Sequence, residues 1–518
     1  METTINVNGT PVVVANDSST LLQVLRDQVG IVSTKAGCSP QGQCGCCTVL
    51  IDGEPRISCV TPVRRVNGRS VTTLEGLDPA TADRWANALC ATGASQCGYC
   101  TPGIIMRLEG ARCAEKLNEP DAVAHQLAAH LCRCTGWQTI VESAVMVTSG
   151  TDIVDRRAQL DDAERRASIE GRAPQHVGPH IALGQGGFSA DTAPPDALVA
   201  ILDSTGNWVV AESIGAARKL AGRVQGRNST VTYPPPLSIP EGDWDLALAT
   251  SWVDVGYLET DSVWATPQGE MSELLANGGA FGSKSTTELA DAATRLAQHH
   301  QRPVLARWLR EDVIARSPKR PPLAFGLRGD GTGHVVVAAA HDIAELIHQA
   351  APQVTIETVP LTGPPVSAAI RGAGWAELAA AVGVLGAEPD QPIEVRHPGG
   401  GLALADYDGS TISVSVNAGR ALDEVTLRSY CIGAAHMACS WVTSESLAVD
   451  ADGTVHDLTI RSLGILKAAH TPQIDIVIEN SKEEPVNASD AVFAAVAGAV
   501  WRFHGLPRSW PTRLGSST

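Results

Sequence analysis

Aromatic residues make up only 4% of the 518 positions and charged residues only 18%. Apolar residues make up 44%, and Ala, Val, Leu and Gly dominate. That is the composition of an ordinary globular protein, and the length suits roughly three to four domains at about 150 residues each. Positive charge is scarce: 39 Lys and Arg face 56 Asp and Glu, a net charge of −17. Phosphate binding needs clustered Lys and Arg, so a nucleic-acid partner is excluded. No window holds about 18 uninterrupted apolar residues, so no membrane-spanning helix is expected. No basic stretch leading into an apolar core opens the chain, so no signal peptide is read and a cytoplasmic location is expected. No Gly-x-Gly-x-x-Gly opens a helix after a strand, so no flavin-binding segment is read.

Cysteine is plentiful and unevenly placed. Of thirteen, eleven lie before residue 135, and the others are Cys431 and Cys439. In a large cytosolic chain, clustered cysteines with short spacings point to metal or redox chemistry before disulfides.

Residues 3–15 predict two short strands around an Asn8-Gly9 turn. Residues 18–29 predict an amphipathic helix capped by Ser18 or Ser19, with Leu21, Leu22, Val24 and Leu25 on its apolar face. Thr48–Ile51 predicts a strand, with a turn beginning at Asp52-Gly53. Residues 1–77 thus form a small α+β module. Helical patterns near 80–92, 101–113, 120–131 and 137–148 predict a four-helix unit over 78–150, with Pro102 and Pro120 near helix starts. Residues 151–180 are charged, poor in large apolar groups and predicted to be a partly helical linker. Residues 181–518 mix strands, helices and Gly/Pro turns without a short repeat, as α/β material does.

The strongest motif is Cys97-x2-Cys100-x31-Cys132-x-Cys134. Two cysteine pairs can converge on one thiolate site, which suits zinc or an iron–sulfur cluster, and spacing alone leaves both open. The second motif is Cys38-x5-Cys44-x2-Cys47-x11-Cys59. Plant-type [2Fe–2S] loops run C-x4-C-x2-C with a distant fourth Cys. A one-residue bulge at Ser39-Pro40 would absorb the longer first gap. Gly37, Gly42 and Gly45 let the backbone wrap closely and aim N–H groups at cluster sulfurs. By spacing, Cys46 is a neighbour of the quartet, and Cys90 and Cys113 read as buried small apolar residues.

INVNG, TLLQVLRD, GQCGCCTVLIDG, QCGYCTPG and LCRCTGWQTIVES, in this order, resemble the iron–sulfur portion of the xanthine oxidase family of molybdenum hydroxylases. The resemblance implies a β-grasp ferredoxin domain and a four-helix domain, each holding one [2Fe–2S] cluster. Their ligands would be Cys38, Cys44, Cys47 and Cys59, then Cys97, Cys100, Cys132 and Cys134. It also implies that the second cluster lies nearer a molybdenum centre and the first hands electrons to a flavin.

The remainder is similar to the family's molybdenum subunit, though more weakly. GGFSADTAPPDALVAIL, GYLETDSVWATP ending near Glu259, NGGAFGSKS (277–285), RGAGWAEL (371–378) and 426–478 carry the likeness. It places Gly278, Gly279, Phe281, Gly282 and Arg371 against a molybdopterin cofactor, with Lys284 beside them. The region is roughly half the family length. It is contracted between Glu259 and Gly278, and it lacks a block between Arg396 and about Thr411. The family's terminal Gly-x-Gly-Glu is replaced by Asn480-Ser481-Lys482-Glu483-Glu484-Pro485, where Glu484 falls at the place of the catalytic base without the preceding glycines.

If that site is intact, the implied reaction is oxidative hydroxylation of an aldehyde or N-heterocycle, with electrons leaving through the two clusters. The competing reading is a non-catalytic electron-transfer and scaffold protein. The expected partners are a flavoprotein subunit or other acceptor, a complete molybdenum subunit, and a second copy of the chain in a homo-oligomer.

Overall fold

The computed structural model describes residues 3–15, 18–156, 159–224, 226, 231–275, 277–284, 288–479 and 481–512. Ser285 and Asn480, each in a stretch singled out above, fall outside these residues. The α+β class is as expected.

The first module is a five-stranded sheet ordered Thr10–Val13, Thr4–Val7, Ser70–Thr72, Thr48–Ile51, Glu54–Ile57. Asn8 and Gly9 both take positive φ (50° and 85°), which fits the two-residue turn of a twisted hairpin. Thr4–Val7 and Ser70–Thr72 run parallel. Ile5, Val7, Leu21, Leu25, Val49 and Val71 fill the space between sheet and helix. That helix is capped by Thr20 instead of Ser18 or Ser19. The Thr20 hydroxyl accepts from Gln23 N, and the Gln23 amide oxygen accepts from Thr20 N. The helix runs Leu21–Gln23 and widens to π-helical turns over Val24–Gln28.

The second module has helices Pro79–Thr92, Thr101–Cys113, Pro120–Gln126 and Gln138–Ser149. The third stops earlier than its sequence pattern suggests. Leu131 N turns away to donate to Cys44 O at 3.0 Å, so the chain leaves the helix to reach the first cysteine loop.

Residues 151–180 contain a helix, Leu160–Gly171, that is packed into the protein. Arg166 is fully buried, pairs with Glu170 at 3.0 Å, and donates to the carbonyls of Ala421, Val486 and Arg420.

Three further sheets follow: Trp208–Ala211, Leu198–Leu202, Val304–Arg307, Ser262–Ala265; then Val354–Val359, Gly333–Ala338, Leu323–Leu327, Leu246–Thr250, Ser509–Trp510; then Ile393–Arg396, Leu402–Tyr407, Thr411–Asn417, Gln473–Ile478. The long helices Glu424–Thr443 and Ser489–Phe503 pack on each other in a core rich in alanine. Small side chains let helices approach closely, which is how a chain with few aromatics fills its interior. One apolar cluster joins both halves: Trp85, Trp137 and the cysteines share it with Trp252, Leu258, Leu447 and Ile460.

Candidate metal centres and the adjoining cavity

The first cysteine loop wraps from Gly37 to Thr48. Ser39 sits at φ 45°, which makes the bulge that takes up the extra residue. Gly42 and Gly45 also take positive φ (72° and 74°). Gly45 has no room for a side chain, because a Cβ there would lie 2.3 Å from His130 Cδ2. Cys38, Cys44, Cys47 and Cys59 are all buried. Cys38 is in hydrogen-bonding contact with Cys44 and with Cys59, and Cys59 also with Cys47. Gln43 N points at Cys38 Sγ at 3.4 Å. Contact with Cys44 and Cys59 holds the Cys38 thiol well below its ordinary value. Contact with Cys38 and Cys46, together with burial, pushes Cys44 well above it. Cys46 is buried beside Cys44, with its Sγ 3.8 Å from Cys44 O.

The second quartet is built at the start of helix Thr101–Cys113, with Cys100 as its N-cap residue. The hydrogen bond to Cys132, with burial, pushes the Cys100 thiol well above its ordinary value. Cys97 and Cys134 pair with sulfurs 3.7 Å apart, and Cys100 hydrogen-bonds Cys132. That bond from Cys100, with one from Thr135, holds the Cys132 thiol down to about 6 against the burial. Among the described residues no three His, Cys, Asp or Glu converge on a single ion. A binuclear cluster needs a thiolate pair on each of two irons; the second quartet presents two pairs, and in the first Cys38 bridges Cys44 and Cys59. The buried all-thiol donor sets and close N–H groups therefore fit [2Fe–2S] clusters. Cys90 is buried and its thiol is pushed up to about 12 by that burial, as a structural cysteine should be. Cys113, expected buried, is exposed because it closes its helix on the solvent side, near Glu109.

The two sites touch. Leu131, next to Cys132 of the second quartet, donates its N–H to the carbonyl of Cys44 of the first at 3.0 Å. Between the loops His130 Nε2 meets Thr48 Oγ1 at 3.2 Å, and burial pushes that imidazole down to about 3, so it adds no charge there at neutral pH.

The C-terminal half grips both loops, through residues the sequence reading missed. Arg133, between Cys132 and Cys134, forms a bidentate buried pair with Glu445 at 2.6 and 2.7 Å. Arg310 donates two N–H groups to Gly37 O at 3.1 and 2.6 Å. Arg461 donates to Gln43 O at 3.1 Å. An arginine flanked by two ligand cysteines is the one signal that could have been read from sequence.

Known domains match both sites. Residues 4–65 match the 2Fe-2S iron-sulfur cluster binding domain, and residues 73–145 match the [2Fe-2S] binding domain. The iron-sulfur-binding protein of xanthine dehydrogenase from Escherichia coli is 38% identical over 143 residues, 27% of this chain and 89% of that protein. The chain belongs to the xanthine oxidase family of molybdenum hydroxylases. The aldehyde oxidoreductase of Megalodesulfovibrio gigas is 34% identical over 173 residues, 32% of this chain but only 19% of its own length. The solved aldehyde oxidoreductase from Desulfovibrio gigas superposes with a TM-score of 0.74, 14% identity and 99% coverage of each chain, which makes the fold common to both. No helix among the described residues is long and apolar enough to cross a membrane.

In this member of the family Cys97 of the second quartet lines a cavity of about 300 Å³. Gly279, at φ 83°, lies against that quartet so closely that a Cβ would stand 3.2 Å from Cys97 Sγ. Gly278, Gly279, Phe281, Gly282 and Arg371, the expected pterin contacts, all line this cavity, as does Lys284. Glu484 does not: it is exposed, and its backbone lies against Gly419. The carboxylates on the cavity wall are Glu170 and Asp490.

The wall's three cations share two carboxylates. Arg371 pairs with Asp490 at 3.2 Å and stacks over Phe281 at 4.7 Å. Arg172 pairs with the same Asp490. Lys284 pairs with buried Glu259 at 2.5 Å, and burial raises the carboxyl of Glu259 despite that partner. Arg172 and Arg371 thus carry one positive charge beyond Asp490 among the described residues, but a volume at the lower end of ligand pockets is small for a pterin dinucleotide.

Proposed function

We propose that this chain is an iron–sulfur oxidoreductase subunit of the xanthine dehydrogenase/aldehyde oxidoreductase type. It relays electrons through two [2Fe–2S] clusters, taking them from the oxidative hydroxylation of an aldehyde or N-heterocycle. The observation that carries this reading is the Leu131 N–Cys44 O hydrogen bond, which joins the two quartets by a backbone path with one short gap. When bound, each cluster accepts and releases single electrons. The protein's part is to hold the thiolates in pairs, keep water out and add no charge between them.

In this reading the second quartet, facing the cavity, is the entry point, and the first quartet passes electrons to a flavoprotein subunit or another acceptor. The relatives include subunits of multi-subunit dehydrogenases, the Escherichia coli protein among them. The small cavity and the exposed Glu484 favour placing the hydroxylation in a partner molybdenum subunit. The C-terminal half then acts as a scaffold that clamps both cluster loops.

Metal analysis of the purified protein tests this. About four iron per chain and no molybdenum is expected. Molybdenum near one per chain would move the hydroxylation into this chain. Zinc in place of iron would overturn the relay.

A further inference from the structure

A second cleft, of about 500 Å³, lies between the first module and the C-terminal half, and no role above uses it. Three guanidinium groups border it: Arg26, Arg218 and Arg307. Arg26 is neutralised by Asp191 at 2.8 Å. Arg218 donates to Ser39 O at 2.9 Å, and its nearest carboxylate, Glu311, stands 4.0 Å away.

Arg307 is the anomaly. It is 7% exposed and donates Nη2 to Thr260 Oγ1 at 3.1 Å, while its Nε has no partner. No carboxylate of a described residue pairs with it within 4.0 Å. A guanidinium cannot shed its charge at ordinary pH, and an unpaired buried charge is costly. Of the acids at the cleft, Asp191 is held by Arg26 and Lys35, Glu212 is paired with Arg302, and Asp27 attracts Arg307 from beyond ion-pair distance. Much of the remaining wall is apolar: Leu22, Val29, Pro194, Pro195 and Ile214. The volume exceeds what a bare inorganic ion fills and falls within the range of small-molecule pockets.

We propose that this cleft binds a small organic anion, a carboxylate or phosphate on an apolar body, with Arg307 as its charge partner and Arg218 beside it. Ala36, Ser39 and Pro40 of the first cysteine loop form part of the wall and Arg218 bonds Ser39 O, so an anion on Arg218 stands beside the residue that follows Cys38. A negative charge there disfavours adding an electron, and the midpoint potential of the first cluster falls on binding. Binding itself does not depend on the relay reading; only the potential shift does.

The test is calorimetric titration of the iron-loaded protein with benzoate and with phenyl phosphate, inorganic phosphate serving as the minimal anion. Saturable one-to-one binding of an organic probe is expected. Arg307→Gln should weaken it at least tenfold, Arg307→Lys should restore part of it, and the remote Arg328→Gln should leave it unchanged. If Arg307→Gln does not fold, Ile214→Trp, which fills the cleft from its wall, should abolish binding. Failure of both organic probes to saturate the parent protein overturns the proposal. So does undiminished binding in Arg307→Gln or in Ile214→Trp. Binding without a potential shift, followed by redox titration of the first cluster's paramagnetic signal, counts against the relay reading and leaves the site standing.

Discussion

At the residue scale the account rests on eight thiols, and single substitutions separate them. Cys100→Ser should remove one cluster's signal in electron paramagnetic resonance and leave the other; retention of both would show that Cys100 is not a ligand. Both quartets were readable because ligand spacing survives folding unchanged. What spacing could not show is the pairing within each quartet, since that depends on which loop ends meet.

His436 offers a pH test outside the two quartets. It is buried in helix Glu424–Thr443, and burial, with Arg133 adding to it, pushes its imidazole down to about 3. An unfolded His titrates near 6.5, so between that pH and about 3 only the unfolded chain binds the proton. The stabilisation is therefore present above pH 6.5 and is lost as the pH falls toward 3. Urea denaturation across this window should show a shallower pH dependence for His436→Gln than for the parent. The reading of Glu484 as a base belongs here too. Its place in a family motif was legible, but its exposure was not, and Glu484→Gln should leave cluster reduction unchanged.

At the scale of elements, loops are held by contacts whose sequence signals differ in strength. Gly45→Ala should drive a Cβ into His130 and cost the first cluster while the second survives, as followed by iron content and visible absorption. The Arg133–Glu445 pair is buried at both ends, so Arg133→Leu strands a carboxylate in the interior. Breaking such a pair costs about 3–5 kcal/mol, measurable by chemical denaturation. It should also loosen the loop of Cys132 and Cys134. The capping box at Thr20 was written in the sequence as Thr-x-x-Gln, yet the two serines before it compete by residue type alone. The early end of helix Pro120–Gln126 had no local signal, because a carbonyl on another loop decides it. Arg310 reaching Gly37 is equally invisible, joining positions far apart in sequence.

At the scale of the whole molecule, the sequence divided the chain into a relay and a shortened remainder, whereas the structure makes the remainder part of the relay's housing. Arg133, Arg310 and Arg461 tie both cysteine loops to the C-terminal half. Removing residues after 150 should therefore leave the cluster loops exposed, and faster loss of iron to a chelator is the expected result. The glycine-rich loop was expected against a pterin cofactor, and its contact with Cys97 had no signal in the motif. The sharing of Asp490 by Arg172 and Arg371 in the cavity was not legible, since Asp490 reaches Arg371 from a distant helix. The central claim is the relay of two clusters, and spin-quantified electron paramagnetic resonance of the dithionite-reduced protein, with iron measured on the same sample, tests it most directly. Two distinct [2Fe–2S] signals of about one spin each, on about four iron per chain, are predicted. A single signal, or zinc in either quartet, would contradict it.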